Sequence, residues 1–161
     1  MHSRVFVICN KKEEIEDFKN SHIEEEILNG VIGADYAKKQ EEYEKFKEDI
    51  DWFSQYYKTP AEIKREEDGS FYAEVDANAF YEALQREKKK RIEKIQKLLI
   101  KDPNPDLYNI AQTAYYEKSF FFVLNGIDVV PEVDTYLFEF LEDTIKKGEK
   151  IYIATTWDYH F

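Results

Sequence analysis

Two rhythms of apolar residues run along this chain, and each predicts its own elements. Residues 4–9, Arg-Val-Phe-Val-Ile-Cys, are short, β-branched and apolar, which predicts a buried strand. Ser21 and Glu24 have the spacing of a capping box, and Gly30 is placed to close a short helix over 22–29. Asp35 can then cap a longer helix. In it Tyr36, Tyr43, Phe46, Ile50, Phe53 and Tyr57 make one apolar stripe, and Pro60 ends it.

The rhythm then changes to alternation. Residues 62–76 read as a hairpin, with Ile63 in the first arm, Asp68-Gly69 at the turn, and Phe71, Ala73 and Val75 on one face of the second. Thr59-Pro60-Ala61-Glu62 also fits a capping box, so a short helix competes for the first arm. Asn78 can cap the next helix, whose stripe is Phe80, Leu84, Ile92, Ile95 and Leu99, interrupted by Lys88. Asp102-Pro103-Asn104-Pro105 stops it, and Pro105 suits the first position of a following helix through Leu107, Ile110, Ala111, Ala114 and Tyr115.

Residues 119–124 and 127–130 flank Asn125-Gly126, the preferred pair for a type I′ hairpin turn. Pro131 opens a helix bearing Val133, Leu137, Phe140, Leu141 and Ile145, with Gly148 to close it, and residues 150–161 form a last strand. There is no internal repeat, low-complexity stretch or linker. The expectation is an α+β fold in one domain over 1–161: short antiparallel hairpins and N- and C-terminal strands, packed with several amphipathic helices, two of them long.

Composition sharpens this picture. Charged residues make up 35% of the chain, but 16% are aromatic, a share that disordered chains lack, so the chain should fold. One cysteine, Cys9, excludes an internal disulfide and suits a reducing compartment. The N-terminal apolar run is too short for a signal peptide, and no stretch is long enough for a membrane helix. The chain therefore reads as soluble and cytoplasmic, without membrane association. Its net charge of −11 argues against generic nucleic-acid binding, whose affinity comes largely from neutralising phosphates.

That charge is unevenly spread. Residues 86–101 carry +6, so the remainder carries −17. A basic contact helix bearing Lys88, Lys89, Lys90, Arg91 and Lys94 thus stands against an acidic body. Glu82–Arg86, Glu87–Arg91 and Glu93–Lys97 are four apart with Glu first, so the same residues also suit a solvated helix, or one packed beside the acidic helix.

Catalytic signatures are weak. The five glycines are scattered, no Gly-Lys-Ser/Thr exists, and Gly30-Val31-Ile32-Gly33 reads as a turn. Cys9 lies within an apolar strand, where a thiolate is disfavoured. Glu62-Ile63-Lys64 with Asp49 or Asp51 has the residue types of a metal-dependent nuclease, in a chain rich enough in charge to produce them by accident. Alternate residues Asp158 and His160 on the last strand, with His2 nearby if the terminal strands pair, have the residue types of a metal site, but they read first as a polar, solvent-facing strand end, and no metal is expected. No cofactor is expected.

The leading expectation is a non-catalytic protein-binding module, a stoichiometric inhibitor of the immunity or phage type. Its partner would be a protein with a basic surface, met by Glu41, Glu42, Glu44, Glu48 and Asp49, with Trp52 as an anchor. The alternatives are a metal-dependent enzyme with an unfamiliar site, and a self-associating structural protein whose basic helix pairs with an acidic surface of a second copy.

Overall fold

The computed structural model describes residues 2–20, 36–56, 61–116, 120–131 and 135–160. Five α-helices accompany a mixed seven-stranded sheet among these residues, the expected α+β class. The strands are β1 (His2–Cys9), β2 (Tyr36–Lys39), β3 (Ala61–Arg65), β4 (Phe71–Val75), β5 (Phe121–Leu124), β6 (Asp128–Pro131) and β7 (Ile151–His160). The helices are α1 (Ile15–Asn20), α2 (Tyr43–Tyr56), α3 (Ala77–Lys101), α4 (Leu107–Ala111) and α5 (Thr135–Lys146). A π-helical turn over Gln112–Tyr116 extends α4.

The sheet is ordered β3-β4-β7-β1-β5-β6. β1 pairs with β5 in parallel, and the other pairings are antiparallel. β1 and β5 are buried on both faces, which explains why Val5–Ile8 and Phe121–Leu124 are continuous apolar runs rather than alternating ones. Phe6, Ile8, Phe122, Ile151 and Ile153 pack beneath Ile50 and Phe53 of α2, Phe80 of α3, and Leu137 and Leu141 of α5. The opposite face collects Val5, Val7, Cys9, Val123, Ala154, Trp157 and Tyr159, with Ile15 and Phe18 of α1 against them.

Both hairpins form as expected. β3 and β4 pair from Ala61–Val75 to Arg65–Phe71, so the competing short helix at 59–62 is not adopted at its described residues. Asn125 and Gly126 take φ of 47° and 70°, the two positive values that a type I′ turn requires. Gly126 is needed twice over, because a Cβ there would stand 2.6 Å from the Phe18 ring of α1.

Four expectations are corrected. Tyr36–Lys39 is a strand, not the first turn of the long helix, because the last half of β7 offers Tyr36, Ala37, Lys38 and Lys39 a ladder to join. The helix that follows is 14 residues long. α3 is capped by Asp76, whose carboxylate accepts from Ala79 N–H at 3.0 Å, rather than by Asn78. α4 is capped by Asp106, which moves Pro105 out of the helix. Pro131 ends β6 rather than opening α5. The expected helix over 22–29 with its Ser21–Glu24 box, the Gly30–Gly33 turn, Tyr57, Pro60 and Val133 lie outside the described residues.

Gly148 also has positive φ, 71°, but nothing lies within 4 Å of a Cβ built there. Replacing Gly148 by Ala should therefore cost only the left-handed backbone penalty, about 1 kcal/mol. Replacing Gly126 by Ala should cost about 2 kcal/mol or more, because Phe18 must also move. Urea midpoints of the two variants check this. Equal losses would show that α1 does not press on the turn.

Candidate functional site

The helix α2 divides its acids between two environments. Phe46, Ile50 and Phe53 lie on its inner face, and Asp49 falls three residues after the first and four before the last, so it is carried inward with them. Asp49 is 3% exposed. Its carboxylate accepts from Arg4 Nε and, at 2.7 Å, from the buried Thr156 hydroxyl. Arg4 reaches on to Asp158, directly across the β1–β7 ladder. One buried carboxylate thus ties α2 to both central strands.

The outer face carries the opposite pattern. Glu44, Glu48 and Asp51 recur at four and three residues, are exposed, and make no ion pair among the described residues. Glu41 precedes the helix and is likewise exposed, whereas Glu42 holds Lys45 at 2.9 Å. Trp52 stands beside this stripe at 41% exposure, in a T-shaped contact with Phe120 at 4.4 Å between ring centres, so it is anchored yet accessible. Of the acids expected to meet a partner, Glu41, Glu42, Glu44 and Glu48 are on the surface. Asp49 is not, and is withdrawn. Asp51 takes its place, and the helical spacing Glu44–Glu48–Asp51 was the signal for it.

Near the start of α2 the sheet edge is split. β2 reaches Trp157 of β7, with Gln40 N–H adding a bond to the Thr156 carbonyl at 3.0 Å, and β4 begins opposite Ile153. No described strand lies opposite Ala154 and Thr155 on that edge. The break opens into a cavity of about 710 Å³ walled by Tyr43, Phe46, Phe71 and Ile153. Four acids (Glu16, Glu41, Glu42, Asp68) and four bases (Lys12, Lys19, Lys39, Arg65) line it, so it favours neither sign of charge.

One wall of the cavity belongs to a tight ionic cluster. Glu66 bonds Lys12, Lys150 at 2.7 Å and the Tyr152 hydroxyl at 3.0 Å, and Lys12 also holds Asp68 at 2.8 Å. Lys12, then Lys150 and Tyr152, hold the Glu66 carboxyl down to about 2, and Lys12 and Ser70 keep Asp68 low as well. The cluster joins the β3–β4 turn to the end of β1 and the start of β7, and its groups are engaged with one another.

The basic contact helix is α3. Arg91 is buried and donates to the Ala114 carbonyl at 3.2 Å, so it holds the turn at 112–116 rather than facing a partner. Lys89, Lys90 and Lys94 are exposed and Lys88 is half-buried. The expected apolar stripe is buried only at Phe80 and Leu84, and Ile92 and Leu99 are 55% and 44% exposed. α3 packs on α5 and the 112–116 turn rather than lying along α2.

The metal alternative gains one element of geometry. The terminal strands do pair antiparallel, and His2 falls opposite His160. The His2 side chain lies outside the described residues, Asp158 is bonded to Arg4, and His160 stacks on Tyr36 at 5.9 Å. Among the described residues, no group of three His, Cys, Asp or Glu side chains could hold a metal. Lys64 of the nuclease-like set turns to Glu62 and Glu74. Cys9 is buried, and burial pushes its thiol up to about 12, which leaves it protonated and unreactive. No helix among the described residues is long and apolar enough to cross a membrane.

No protein-family model, no curated protein and no solved structure matches this chain.

Two measurements test this geometry. Asp49→Ala should cost about 3 kcal/mol, because it strips Arg4 and Thr156 of a buried partner, whereas Glu48→Ala should stay within about 0.5 kcal/mol. Similar losses for the two would contradict the inward assignment of Asp49. The second concerns pH. Glu66 titrates lower when folded than its ordinary 4.5, so its ion pairs stabilise the protein above that value and fade as pH falls toward 2. The gap in urea midpoint between wild type and Glu66→Gln should be full at neutral pH and narrow as pH falls below 4.5. A gap independent of pH would contradict the cluster.

Proposed function

We propose that this protein is a non-catalytic binding module that acts by occupying a basic surface of a protein partner, in the manner of a stoichiometric inhibitor. The observation that carries this reading is the outer stripe Glu44–Glu48–Asp51 beside half-exposed Trp52, on a helix pinned from below by Asp49. A row of carboxylates on a fixed helix needs no reorganisation to meet a row of cations. Long-range attraction then speeds association, and salt weakens it. Trp52 supplies what charge alone does not: a large side chain able to bury area in a partner at small entropic cost.

The reading is tested by capture of tagged protein from a cell extract at low salt, using two charge-matched variants. Glu44→Lys, Glu48→Lys and Asp51→Lys together reverse the α2 stripe. Glu139→Lys, Glu142→Lys and Asp143→Lys make the same change in net charge on α5. A single stoichiometric partner is expected, with its affinity at least about tenfold lower for the α2 variant, or ~1.4 kcal/mol, and little changed for the α5 variant. Equal effects of the two variants would leave net charge, not this face, as the cause and would remove the proposal.

A further inference from the structure

The distal half of α3 is sparsely covered. Beyond Arg91 the helix has no buried residue, and it exposes Ile92 (55%), Leu99 (44%) and Ile100 (83%). Across the 102–106 turn, Leu107 and Tyr108 are 80% and 67% exposed. So much exposed apolar surface at one end of a molecule marks a contact surface. It lies on the stretch that carries the chain's excess of positive charge.

The charges on this arm have an order. Lys90, Lys94, Lys97 and Lys101 recur at four, three and four residues, and all are exposed. They therefore form one stripe on the helix. Ile100 flanks that stripe near its end. On α2, Glu44, Glu48 and Asp51 recur at four and three, and Trp52 flanks that stripe near its end. The two stripes thus share a spacing with opposite sign, and each has a large exposed apolar residue beside it, although Lys90 is held by Glu87 at 2.5 Å and exposed Lys47 lies among the α2 acids. Within one molecule they do not lie along one another.

We infer that the α3 arm of one copy docks on the outer face of α2 of a second copy, lysine stripe on carboxylate stripe and Ile100 against Trp52. This rests on the reading of the α2 stripe as a contact face, and it names an occupant for that face. A distinct arm and face make the contact heterologous, so a pair keeps one unused face on one copy and one unused arm on the other. The net charge of −11 on every copy opposes the approach. The contact is therefore reversible, and a partner with a more strongly basic surface displaces it. Self-association becomes a store of covered acidic faces that such a partner opens.

The geometry allows a complementation test that charge reversal would confuse. In one variant Glu44→Gln, Glu48→Gln and Asp51→Asn neutralise the face. In the other Lys94→Gln, Lys97→Gln and Ile100→Ser disable the arm. All six positions are exposed, and far-UV circular dichroism confirms that each variant keeps its fold. Sedimentation velocity should show wild type associating as concentration rises, and reverting to monomer at about 0.5 M salt, where the screening length falls to a few Å. Each variant alone should be monomeric at every concentration. Mixed, they should give a 1:1 dimer that grows no further, with a change in Trp52 fluorescence, because one intact arm meets one intact face.

Wild type that stays monomeric, a face variant that associates as wild type does, or a mixture that fails to dimerise would each overturn the inference. So would a monomeric wild type whose arm binds phosphatidylcholine–phosphatidylserine vesicles. None of these results bears on the α2 face itself. That reading is tested separately, by the charge-matched variants.

Discussion

The buried carboxylate of Asp49 is the constraint on which the rest of the arrangement depends. A lone ionised acid in a protein interior is costly, and it persists because Arg4 and Thr156 meet both of its oxygens. Those partners come from the two strands at the centre of the sheet, so the bond also fixes the rotation of α2 above it. Once Asp49 points down, helical geometry leaves Glu44, Glu48 and Asp51 pointing out. The same rotation brings Tyr43 and Phe46 over the break between β2 and β4. On α2 the interior charge and the exterior ones follow from one helical angle, which the Asp49 bonds and the apolar face hold together.

The long terminal strand supplies the second constraint. β7 pairs with β1 along nearly its whole length and shares its other edge between β2 and β4. A strand of ten residues outlasts either short partner, so the edge must break, and the cavity is the consequence. The balanced charges around it, many already paired, describe a joint between elements better than they describe a chemical centre. The Lys12–Glu66–Lys150 cluster reinforces that joint from the opposite face. The other carboxylates among the described residues either hold the fold together or sit on its surface.

Much of this was legible in the residues. The Asn125-Gly126 turn, the 61–75 hairpin, the continuous runs of β1 and β5, and the long α3 all follow from local chemistry. What local chemistry misjudged was decided at a distance. Tyr36 fits a helical stripe with Tyr43 by spacing alone, and only the open edge of β7 makes it a strand. Ile92 and Leu99 fit a buried stripe, and only the extent of α5 and the 112–116 turn determines where burial stops. The misplacement of Asp49 is different, because its position between Phe46 and Phe53 was available from the start. Counting acids along the helix hid what the helical angle would have separated.

The molecule that results has a fixed acidic face and a basic, apolar arm, with the face turned outward by a charge turned inward. The most direct measurement is carbodiimide footprinting of the carboxylates, read by mass spectrometry on the folded protein. Glu44, Glu48 and Asp51 should be modified rapidly, and Asp49 should be protected until the protein is unfolded in urea. Asp49 modified at the rate of its neighbours would mean that α2 is rotated otherwise, and the contact face proposed for it would not exist.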